Sequence, residues 1–370
     1  MGAGGEHFSV LDVTDPSDCS SVPCALNTYP FELIADSSEL GATLPTYIGE
    51  TWSIPALYLD NGTVGYSAKA SFGSGYEGSS SGDNSYYNYF ATLWDKTSLS
   101  AHLLAGTGAK VDYAVFANPA AVLDPSTFKV EATYQADLAG RITRYVKGFA
   151  GSYSHILNFT WAHPLYFSPA AYRRDSGAVV LAVASGNYFE EGSGGVNWMT
   201  DPLFTSKIFL RREQGGTVDA SGDTLTCAID DICSCADIEN PLAGCSAPSD
   251  RAVPVSSALI VQDRTTGSAL NTYFLYYDPP PDNPNSCGAM VGDSWVIQIQ
   301  TDGATQSLKM AKKYEDTFIS GLSVVGGGTE IALIKSGIGK GAQASTETVS
   351  GNVAMPAPKA PRVEVWREVR

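Results

Sequence analysis

The chain has no apolar run of the kind that crosses a membrane as a helix. No window of the 370 residues approaches the about 18 consecutive apolar residues that such a helix needs. Strongly periodic helical segments are also missing, and the nearest candidate, Leu308–Tyr314, is too short to count as a helix. Membrane insertion through helices is therefore not expected, and the regular structure is predicted to be β-sheet.

Charged residues are scarce, and basic residues are the scarcer kind. Charged residues make up 17% of the chain, below the usual share of about a quarter, and 39 acidic against 23 basic residues give a formal net charge of −16. The densest basic stretches are only Lys309–Lys313 and Arg211-Arg212. A net negative charge repels nucleic acid and anionic membranes, so neither is expected to bind. We interpret the acidity as a means of keeping a surface protein soluble.

Recognisable catalytic motifs are missing as well. The histidines are too scattered to predict a metal cluster by spacing: His7, His102, His155 and His163. Gly73-Ser74-Gly75 lacks the strand-to-helix turn of a serine hydrolase, and Gly339-Lys340-Gly341 lacks the spacing of a phosphate-binding loop. The sequence therefore predicts no catalytic, cofactor-binding or metal-binding residues.

Turn formers and β-surface residues take the place of charge. The chain contains 37 Gly, 20 Pro and 19 Tyr, together with many Ser and Thr, which is typical of secreted β-rich proteins. Met1–Val10 has neither the basic region nor the apolar region of a signal peptide. We therefore expect either a cytoplasmic protein or a mature fragment of an exported one.

The cysteines favour the exported fragment. Six of the 7 cysteines fall into two close sets and are disulfide candidates: Cys19 and Cys24, then Cys227, Cys233, Cys235 and Cys245. The first pair has a spacing suited to a loop-stapling disulfide, and the second set could form two more, which fits an oxidising compartment. Cys287 stands apart. A zinc site is the alternative for the second set, although it lacks paired Cys-x2-Cys knuckles and a nearby His.

A repeated unit organises most of the chain. Each unit opens with Ser/Asn-Pro-Ala or a relative, continues through an apolar strand, a turn and a second strand ending near Gly, and closes with an aromatic-rich strand. Copies start near residues 52, 117, 167, 255 and 320. The first copy has a strand at Trp52–Tyr58, a turn at Asp60-Asn61-Gly62, a second strand at Val64–Phe72 and a third at Tyr89–Trp94. Units of this size suit three- or four-stranded propeller blades with uneven loops, and a large β-sandwich is the alternative.

We therefore predict an all-β chain that forms one β-propeller over residues 1–370, with about six to seven blades and long loop insertions. Glu6–Val13 is interpreted as the closing strand of a blade whose beginning is missing, so the first blade is expected to be incomplete. Residues 215–250 are predicted to be a cysteine-rich loop insertion. The tryptophans are expected to pack within blades, and Trp198 is the one candidate for an exposed recognition residue.

Several segments resemble motifs of a known family, in the same order along the chain. Phe8–Pro16 resembles its ALDVTDP strand, Gly49–Ala56 its GYTWSQP segment, Phe72–Tyr76 its FGNGY turn, Tyr134–Tyr145 its YAGDLQGNLWRF strands, Ala182–Tyr188 its LFGTGRY turn, Asn285–Gly288 with Ser294-Trp295 its PCSGGGSSWL segment, and Val365–Val369 its closing SWREL. The family is the PilC/PilY group of type IV pilus tip adhesins and biogenesis factors, in its C-terminal β-propeller. Each motif alone is a turn plus an aromatic residue, so the shared order carries the resemblance.

The resemblance implies a non-catalytic protein that is exported through the periplasm and held outside the cell, at the cell surface or the pilus tip. There it would promote type IV pilus assembly and surface adhesion by binding minor pilins and the pilus tip complex, and a host or abiotic surface receptor. The incomplete first blade adds a further expected partner, a chain that supplies the missing N-terminal blade. The alternative is a quinoprotein-like or polysaccharide-acting propeller enzyme, which would need paired carboxylates or a cofactor at a central channel.

One departure from the family pattern concerns calcium. The family often carries an Asp-x-Asp-x-Asp-Gly loop before the strand matched by Tyr134–Tyr145, but Leu123–Glu131 has one early Asp, a Pro and a Lys. Because calcium takes six or more oxygen ligands, we expect no cofactor there. The nearest substitute is the spaced set Asp219, Ser221 and Asp223 with Asp230 and Asp231, which we interpret as a solvated acidic loop, with calcium as the alternative.

Overall fold

The structure, a computed structural model, is built almost entirely of β-strands in the parts of the chain that it describes. These parts are residues 53–62, 65–75, 86–95, 105–111, 114–147, 153–158, 164–186, 205–219, 225–235, 244–263, 267–280, 292–303, 305–325, 330–336, 345–350 and 353–354. Among these residues the one helix is α1 (Ile232–Cys235). No described helix has the length and apolar character needed to span a bilayer.

Five sheets follow one another along the described chain, and the strands within each sheet are paired mostly in chain order. The first sheet contains β1 (Ala56–Gly62), β2 (Gly65–Gly73), β3 (Tyr86–Asp95) and β4 (Ala105–Val111). The second contains β5 (Ala120–Leu123), β6 (Val130–Ala136), β7 (Arg141–Val146) and β8 (Tyr153–Asn158). The third contains β9 (Ala170–Arg173), β10 (Val179–Ala184), β11 (Lys207–Gln214) and β12 (Thr217–Asp219), with β13 (Leu225–Ala228) paired to β11. The fourth contains β14 (Val253–Pro254), β15 (Leu259–Asp263), β16 (Leu270–Asp278), β17 (Asp293–Asp302) and β18 (Thr305–Tyr314), and β22 (Val353–Ala354) joins it beside β15. The fifth contains β19 (Phe318–Val325), β20 (Glu330–Ser336) and β21 (Ser345–Ser350).

Successive small antiparallel sheets with up-and-down strand order are the blades of a β-propeller, and the predicted fold class is confirmed. The predicted starts of the five repeat units, near residues 52, 117, 167, 255 and 320, each lie close to the first residue of one strand, namely β1, β5, β9, β15 and β19. The predicted closing strand Glu6–Val13 lies outside the described residues. The number of blades and the single-domain organisation stay predictions.

One local expectation needs correction. The turn expected at Asp60–Gly62 is part of β1, because that strand continues until Gly62 pairs with Gly65. The repeat units were expected to suit three- or four-stranded blades, and β4 and β8 give the first two sheets four strands each. Leu308–Tyr314, which by its sequence was too short to count as a helix, lies in strand β18.

Residues 215–250 are more structured than a plain loop insertion. They contain β12, β13 and the short helix α1, and β13 pairs with β11 of the third sheet. Cys233 is joined to Cys245 by a disulfide within this segment. The segment is therefore tied to a sheet at one end and closed on itself by a covalent bond.

Two compact units divide the chain. One contains Met1–Ala171 with Gly215–Thr217, and the other contains Tyr172–Gln214 with Val218–Arg370. The first two sheets belong to the first unit, and the fourth and fifth sheets belong to the second unit.

Aromatic residues fill the contact between the first two sheets. The ring centroid of Phe90 on β3 lies 4.8 Å from that of Tyr145 on β7, and both side chains are buried. Asn88, also on β3, donates a hydrogen bond from its side-chain amide to the Tyr145 hydroxyl. Since an aromatic pair adds about 0.5–1.5 kcal/mol beyond the area it buries, this contact both stabilises the unit and sets the position of one sheet against the next.

The fourth sheet is centred on β16, whose residues Leu270–Tyr276 are all buried. On one face, Tyr273 and Leu275 belong to a core cluster with Val261, Val296, Tyr314 and Ile319. Trp295 on β17 is buried, as expected for a tryptophan that packs within a blade. The side chains of the other tryptophans lie outside the described residues.

A close approach joins the second strand of a sheet to the lead-in segment of the next sheet, meaning the residues that precede β5 in the second sheet, β9 in the third and β15 in the fourth. At Gly73, which ends β2, an added Cβ would overlap the carbonyl oxygen and side chain of Val115. At Gly186, which follows β10, an added Cβ would overlap the Pro254 ring. Glycine is therefore required at both positions by space, since neither residue has an unusual φ angle.

The turn between β6 and β7 makes the corresponding junction with an aspartate. The Asp137 carboxylate accepts hydrogen bonds from the backbone N–H groups of Ala139 (2.9 Å) and Arg141 (3.0 Å) and from Arg141 Nε (3.0 Å). The Asp137 carbonyl accepts from the N–H of Leu165 in the lead-in of the third sheet. Burial raises the pKa of Asp137, and the Arg141 charge and these donors oppose that effect.

Gly73→Ala is expected to destabilise the protein by about 3 kcal/mol, because the new methyl group meets backbone that cannot move away without displacing the lead-in of the second sheet. Urea unfolding measures the change. The matched control is Gly303→Ala, where a Cβ meets open space and only the positive φ of 61° opposes it, at about 1 kcal/mol. Equal losses for the two variants would contradict the proposed close approach.

Asp137→Ala is expected to cost about 3–5 kcal/mol, because it leaves a buried guanidinium without this carboxylate. A double-mutant cycle with Arg141→Ala, followed by urea unfolding, isolates the pair. The two single losses should sum to clearly more than the loss in the double variant. Additive losses would show that the two residues contribute independently of each other.

Candidate interaction surface

The surface of the first unit displays a group of large apolar side chains, which we call the apolar ridge. Within the described residues, the exposed large hydrophobic side chains are Ile54, Leu57, Leu59, Leu123 and Phe128, and all five form this ridge. Leu57 is 65% exposed and Phe128 is 58% exposed. Exposure of this degree is unusual for several large apolar residues on neighbouring elements.

Strand alternation accounts for the three residues on strands. In β1, Leu57 and Leu59 are exposed while Tyr58 between them is buried. In β5, Leu123 is exposed while Val122 is buried. Successive side chains of a strand point to opposite faces, so the buried Tyr58 and Val122 fix the opposite orientation of the ridge leucines.

Hydrogen bonds hold β1 beside the lead-in of β5. The Ser53 hydroxyl accepts from the Gly73 N–H at 3.1 Å and donates to the Ala117 carbonyl at 3.1 Å. The Ile54 N–H donates to the side-chain oxygen of Asn118 at 2.6 Å. The last residue of the ridge on β1, Leu59, forms a parallel bridge with Lys129. Both ends of the ridge are thus held by contacts between the first two sheets, through the Ser53 and Asn118 side chains at one end and a backbone bridge at the other.

A tight turn between β5 and β6 presents Phe128. Asp124 begins the turn: its carboxylate accepts from the Ser126 N–H (2.8 Å) and the Ser126 hydroxyl (2.6 Å). The Asp124 carbonyl accepts from the Phe128 N–H, and the Asp124 N–H donates to the Lys129 carbonyl, both at 2.8 Å. Phe128 closes the turn with a φ of 56°, in the left-handed region that bulky residues rarely adopt.

The hydrogen bonds of the turn hold Phe128 in a left-handed backbone conformation that is unfavourable for a phenylalanine. Such backbone strain is of order 1–3 kcal/mol and concentrates at functional sites. Burial does not explain the choice of residue, because the side chain is mostly exposed.

Asp124, the acidic residue nearest to the position of the family's calcium loop, uses its carboxylate for hydrogen bonds within this turn. The Ser126 hydroxyl and then the Ser126 N–H lower the pKa of Asp124, so its carboxylate is ionised at neutral pH and is used by the turn itself. Among the described residues no group of three or more His, Cys, Asp and Glu side chains lies close enough together to hold a metal ion. Of the second acidic set, Ser221 and Asp223 lie outside the described residues.

The structure places only some of the sequence-predicted disulfide candidates. Cys233 and Cys245 are bonded to each other, and Cys227 is also in a disulfide. Cys19, Cys24 and the side chain of Cys235 lie outside the described residues, as does Trp198. The histidine side chains lie there too.

Sequence reasoning missed the apolar ridge. Leu57-Tyr58-Leu59 was read as part of an apolar strand, and such a run does not reveal which face is buried. The available signal was Phe128, an aromatic residue next to an Asp-Pro-Ser turn rather than within an apolar strand. The proximity of Phe128 to the β1 leucines depends on the contact between β1 and the second sheet, which no local pattern encodes.

Comparison with known proteins yields likenesses of fold only. No family model matches the chain, and no curated protein matches its sequence. The chain is similar to the C-terminal domain of Pseudomonas aeruginosa PilY1, at 10% identity and a TM-score of 0.47, over 82% of this chain and 72% of that one. It is also similar to the α-L-arabinofuranosidase Arb93A of Fusarium graminearum, at 9% identity and a TM-score of 0.33, over 89% and 82% of the two chains. A leech intramolecular trans-sialidase gives 12% identity and a TM-score of 0.33, over 71% of this chain and 36% of that one. These likenesses are distant, and the fold class rests on the strands of the chain itself.

Ser126→Ala is expected to raise the pKa of Asp124 towards its ordinary value of 3.8, because the hydroxyl donor that contributes most is lost. Carbon-13 NMR titration of the aspartate carboxyls measures the change. A carboxyl whose pKa is lowered by folding stabilises the folded state above its unfolded pKa, and this contribution is lost as the pH falls through the folded pKa. The variant should therefore lose less of its stability on acidification than the wild type does. Ser234→Ala, at an exposed position in the other unit, is the control, and an unchanged Asp124 titration in the Ser126 variant would contradict the turn geometry.

Proposed function

We propose that the chain is a non-catalytic binding protein of the type IV pilus tip that promotes pilus assembly and surface adhesion through contacts with other proteins. The apolar ridge of the first unit carries this proposal. It gathers five exposed large apolar side chains on β1, β5 and the segments beside them, and one of the five is an aromatic residue in a strained turn. Interfaces concentrate their binding energy in such central aromatic and aliphatic anchors.

The pilus assignment is supported by the ordered sequence motifs shared with the PilC/PilY family. Extracellular localisation is supported by the Cys233–Cys245 disulfide, because such bonds persist in oxidising compartments such as the periplasm and the cell surface. Minor pilins and other pilus tip proteins are the proposed partners, together with a host or abiotic surface receptor. The acidic character of the chain suits basic rather than acidic partners.

One substitution can remove the binding contact without destabilising the fold. Phe128→Asn replaces the ridge aromatic by a residue that tolerates the left-handed conformation, so stability should be kept or improved while the apolar contact is lost. Lys147→Asn is the matched control, because Lys147 is an exposed residue with a φ of 53° that lies outside the ridge.

The experiment is a capture assay on shed pili under non-reducing conditions, with bound proteins identified by mass spectrometry. The wild type and Lys147→Asn should capture pilins to the same extent, and Phe128→Asn and Leu57→Asn should capture about tenfold less, since loss of a hot-spot side chain costs at least about 1.4 kcal/mol. Failure of the wild type to capture any pilus protein would overturn the pilus assignment. Equal capture by all variants would overturn the role of the ridge, and recovery of a bound quinone or saccharide would favour a propeller enzyme.

A further inference from the structure

Strand β18 is an edge of the fourth sheet, in the second unit. Within the described residues it pairs with β17 on one side and with no strand on the other. The strand is 10 residues long, from Thr305 to Tyr314. An edge of this kind directs unpaired backbone N–H and C=O groups outwards, where another extended chain can pair with them. β18 is therefore a place at which a further strand can join the sheet.

The edge strand is accessible along its length. Only Leu308 and Tyr314 of β18 are buried, and its other residues are partly or fully exposed. The short helix α1 comes close to the strand, but even the small residue Ala311 keeps part of its surface exposed. In the central strand β16, by comparison, Leu270–Tyr276 are all buried. Another chain can thus reach β18, whereas it cannot reach the centre of the sheet.

Lysines make β18 a basic strand in an acidic chain. Lys309, Lys312 and Lys313 are all exposed, and the strand contains no acidic residue. The formal net charge of the whole chain, in contrast, is −16. Because charges more than about 8 Å away are largely screened at physiological ionic strength, the lysines determine the charge that a chain meets at this edge.

The three lysines lie at different places around the edge. Lys309 is the extra residue of the β-bulge at which the pairing with β17 shifts. Lys312 Nζ lies 4.6 Å from the centroid of the Tyr314 ring, so these two side chains share one face of the sheet. Lys313 belongs to the opposite face, where its Nζ lies 2.8 Å from the Asp293 carboxylate. Positive charge is therefore present at the bulge and on both faces.

This arrangement disfavours a second copy of β18 as the pairing strand. In a two-fold antiparallel pairing centred on Ala311, Lys309 of one copy would lie opposite Lys313 of the other. Like charges directly opposite each other on paired strands are destabilising, and opposite charges are stabilising. Lysine on an edge strand is also a general means of preventing self-pairing. An acidic strand meets no such obstacle, because its carboxylates lie opposite the lysines.

We infer that the outer edge of β18 is a docking site for an extended, acidic segment of another protein, which joins the fourth sheet as an additional strand. The backbone of the edge supplies the hydrogen bonds, and the lysines supply the preference for acidic side chains. The site is independent of the apolar ridge, which belongs to the other unit, and it does not rest on the pilus assignment.

The test measures the binding of three synthetic peptides, each about as long as β18, to the folded wild-type chain. The probe alternates glutamate with valine, and the charge control alternates lysine with valine. The backbone control alternates glutamate with proline, which has no N–H to donate to a neighbouring strand. Fluorescence anisotropy should show the probe binding at least about tenfold more tightly than either control. In hydrogen exchange measured by mass spectrometry, the probe should slow the exchange of β18 amides and leave that of β6 amides, in the other unit, unchanged.

Two matched variants separate the edge from the charge of the whole chain. Lys309→Glu should weaken binding of the glutamate–valine peptide by about tenfold and strengthen binding of the lysine–valine peptide. Lys147→Glu makes the same change of charge at an exposed residue of the other unit and should leave both affinities unchanged. Circular dichroism checks that both variants are folded.

Three results would overturn the inference, and two of them need only the wild-type chain and the peptides. Equal binding of the glutamate–valine and glutamate–proline peptides would show attraction by charge without strand pairing. Unchanged exchange of the β18 amides in the presence of the probe would place the peptide elsewhere. A wild-type dimer in sedimentation velocity whose β18 amides are protected would show that a second copy occupies the edge.

Discussion

The first unit depends on a close approach of two backbones between its two sheets. The second strand of the first sheet ends at Gly73, where the lead-in of the second sheet passes over it and the backbone of Val115 excludes even a methyl group. In the second unit, Gly186 makes a comparable approach to the Pro254 ring. Beyond Gly73, the Gly75 N–H donates to the Val115 carbonyl at 3.1 Å, so the contact is a hydrogen-bonded one. Because two backbones in contact leave little freedom of translation, this junction sets the position of the second sheet against the first.

The polar groups of these junctions form hydrogen bonds with one another, as buried polar groups must. In the first unit, the Ser53 hydroxyl bridges the Gly73 N–H and the Ala117 carbonyl, and the side-chain amide of Gln135 donates to the same carbonyl. At the next junction the Asp137 carboxylate takes this role with Arg141. The same hydrogen bonds bring β1 beside the second sheet, so the apolar ridge is a direct result of how the junction is made.

Sequence reasoning predicted the parts of the fold that are locally encoded. Three turns were recognised as motifs: the turn after Phe72, the Asp137 turn and the Ser185-Gly186 turn. Glycine and aspartate at the end of a strand are characteristic turn residues, so they indicate where a strand stops. The fourth strands β4 and β8 were missed, since AGTGAKV and YSHILN have little apolar alternation and are strands because a neighbouring strand supplies hydrogen bonds. The apolar ridge depends on contacts between distant segments and could not be predicted from a single sequence. The spacing of the cysteines allowed the Cys233–Cys245 disulfide as one of several possible pairings, but it did not select that pairing.

The junctions also determine where the chain is free to vary in length. Each junction lies at the end of a second strand, and the chain returns to the third strand of the sheet only after an interval of its own. That interval is residues 137–140 in the second sheet, but 185–206 in the third and 279–292 in the fourth. Since each doubling of a loop adds only about 0.6 kcal/mol of closure entropy, the fold tolerates this range without changing its sheets. The connection between second and third strands is accordingly a natural grafting position, where a foreign peptide could be inserted while the junctions keep the sheets intact.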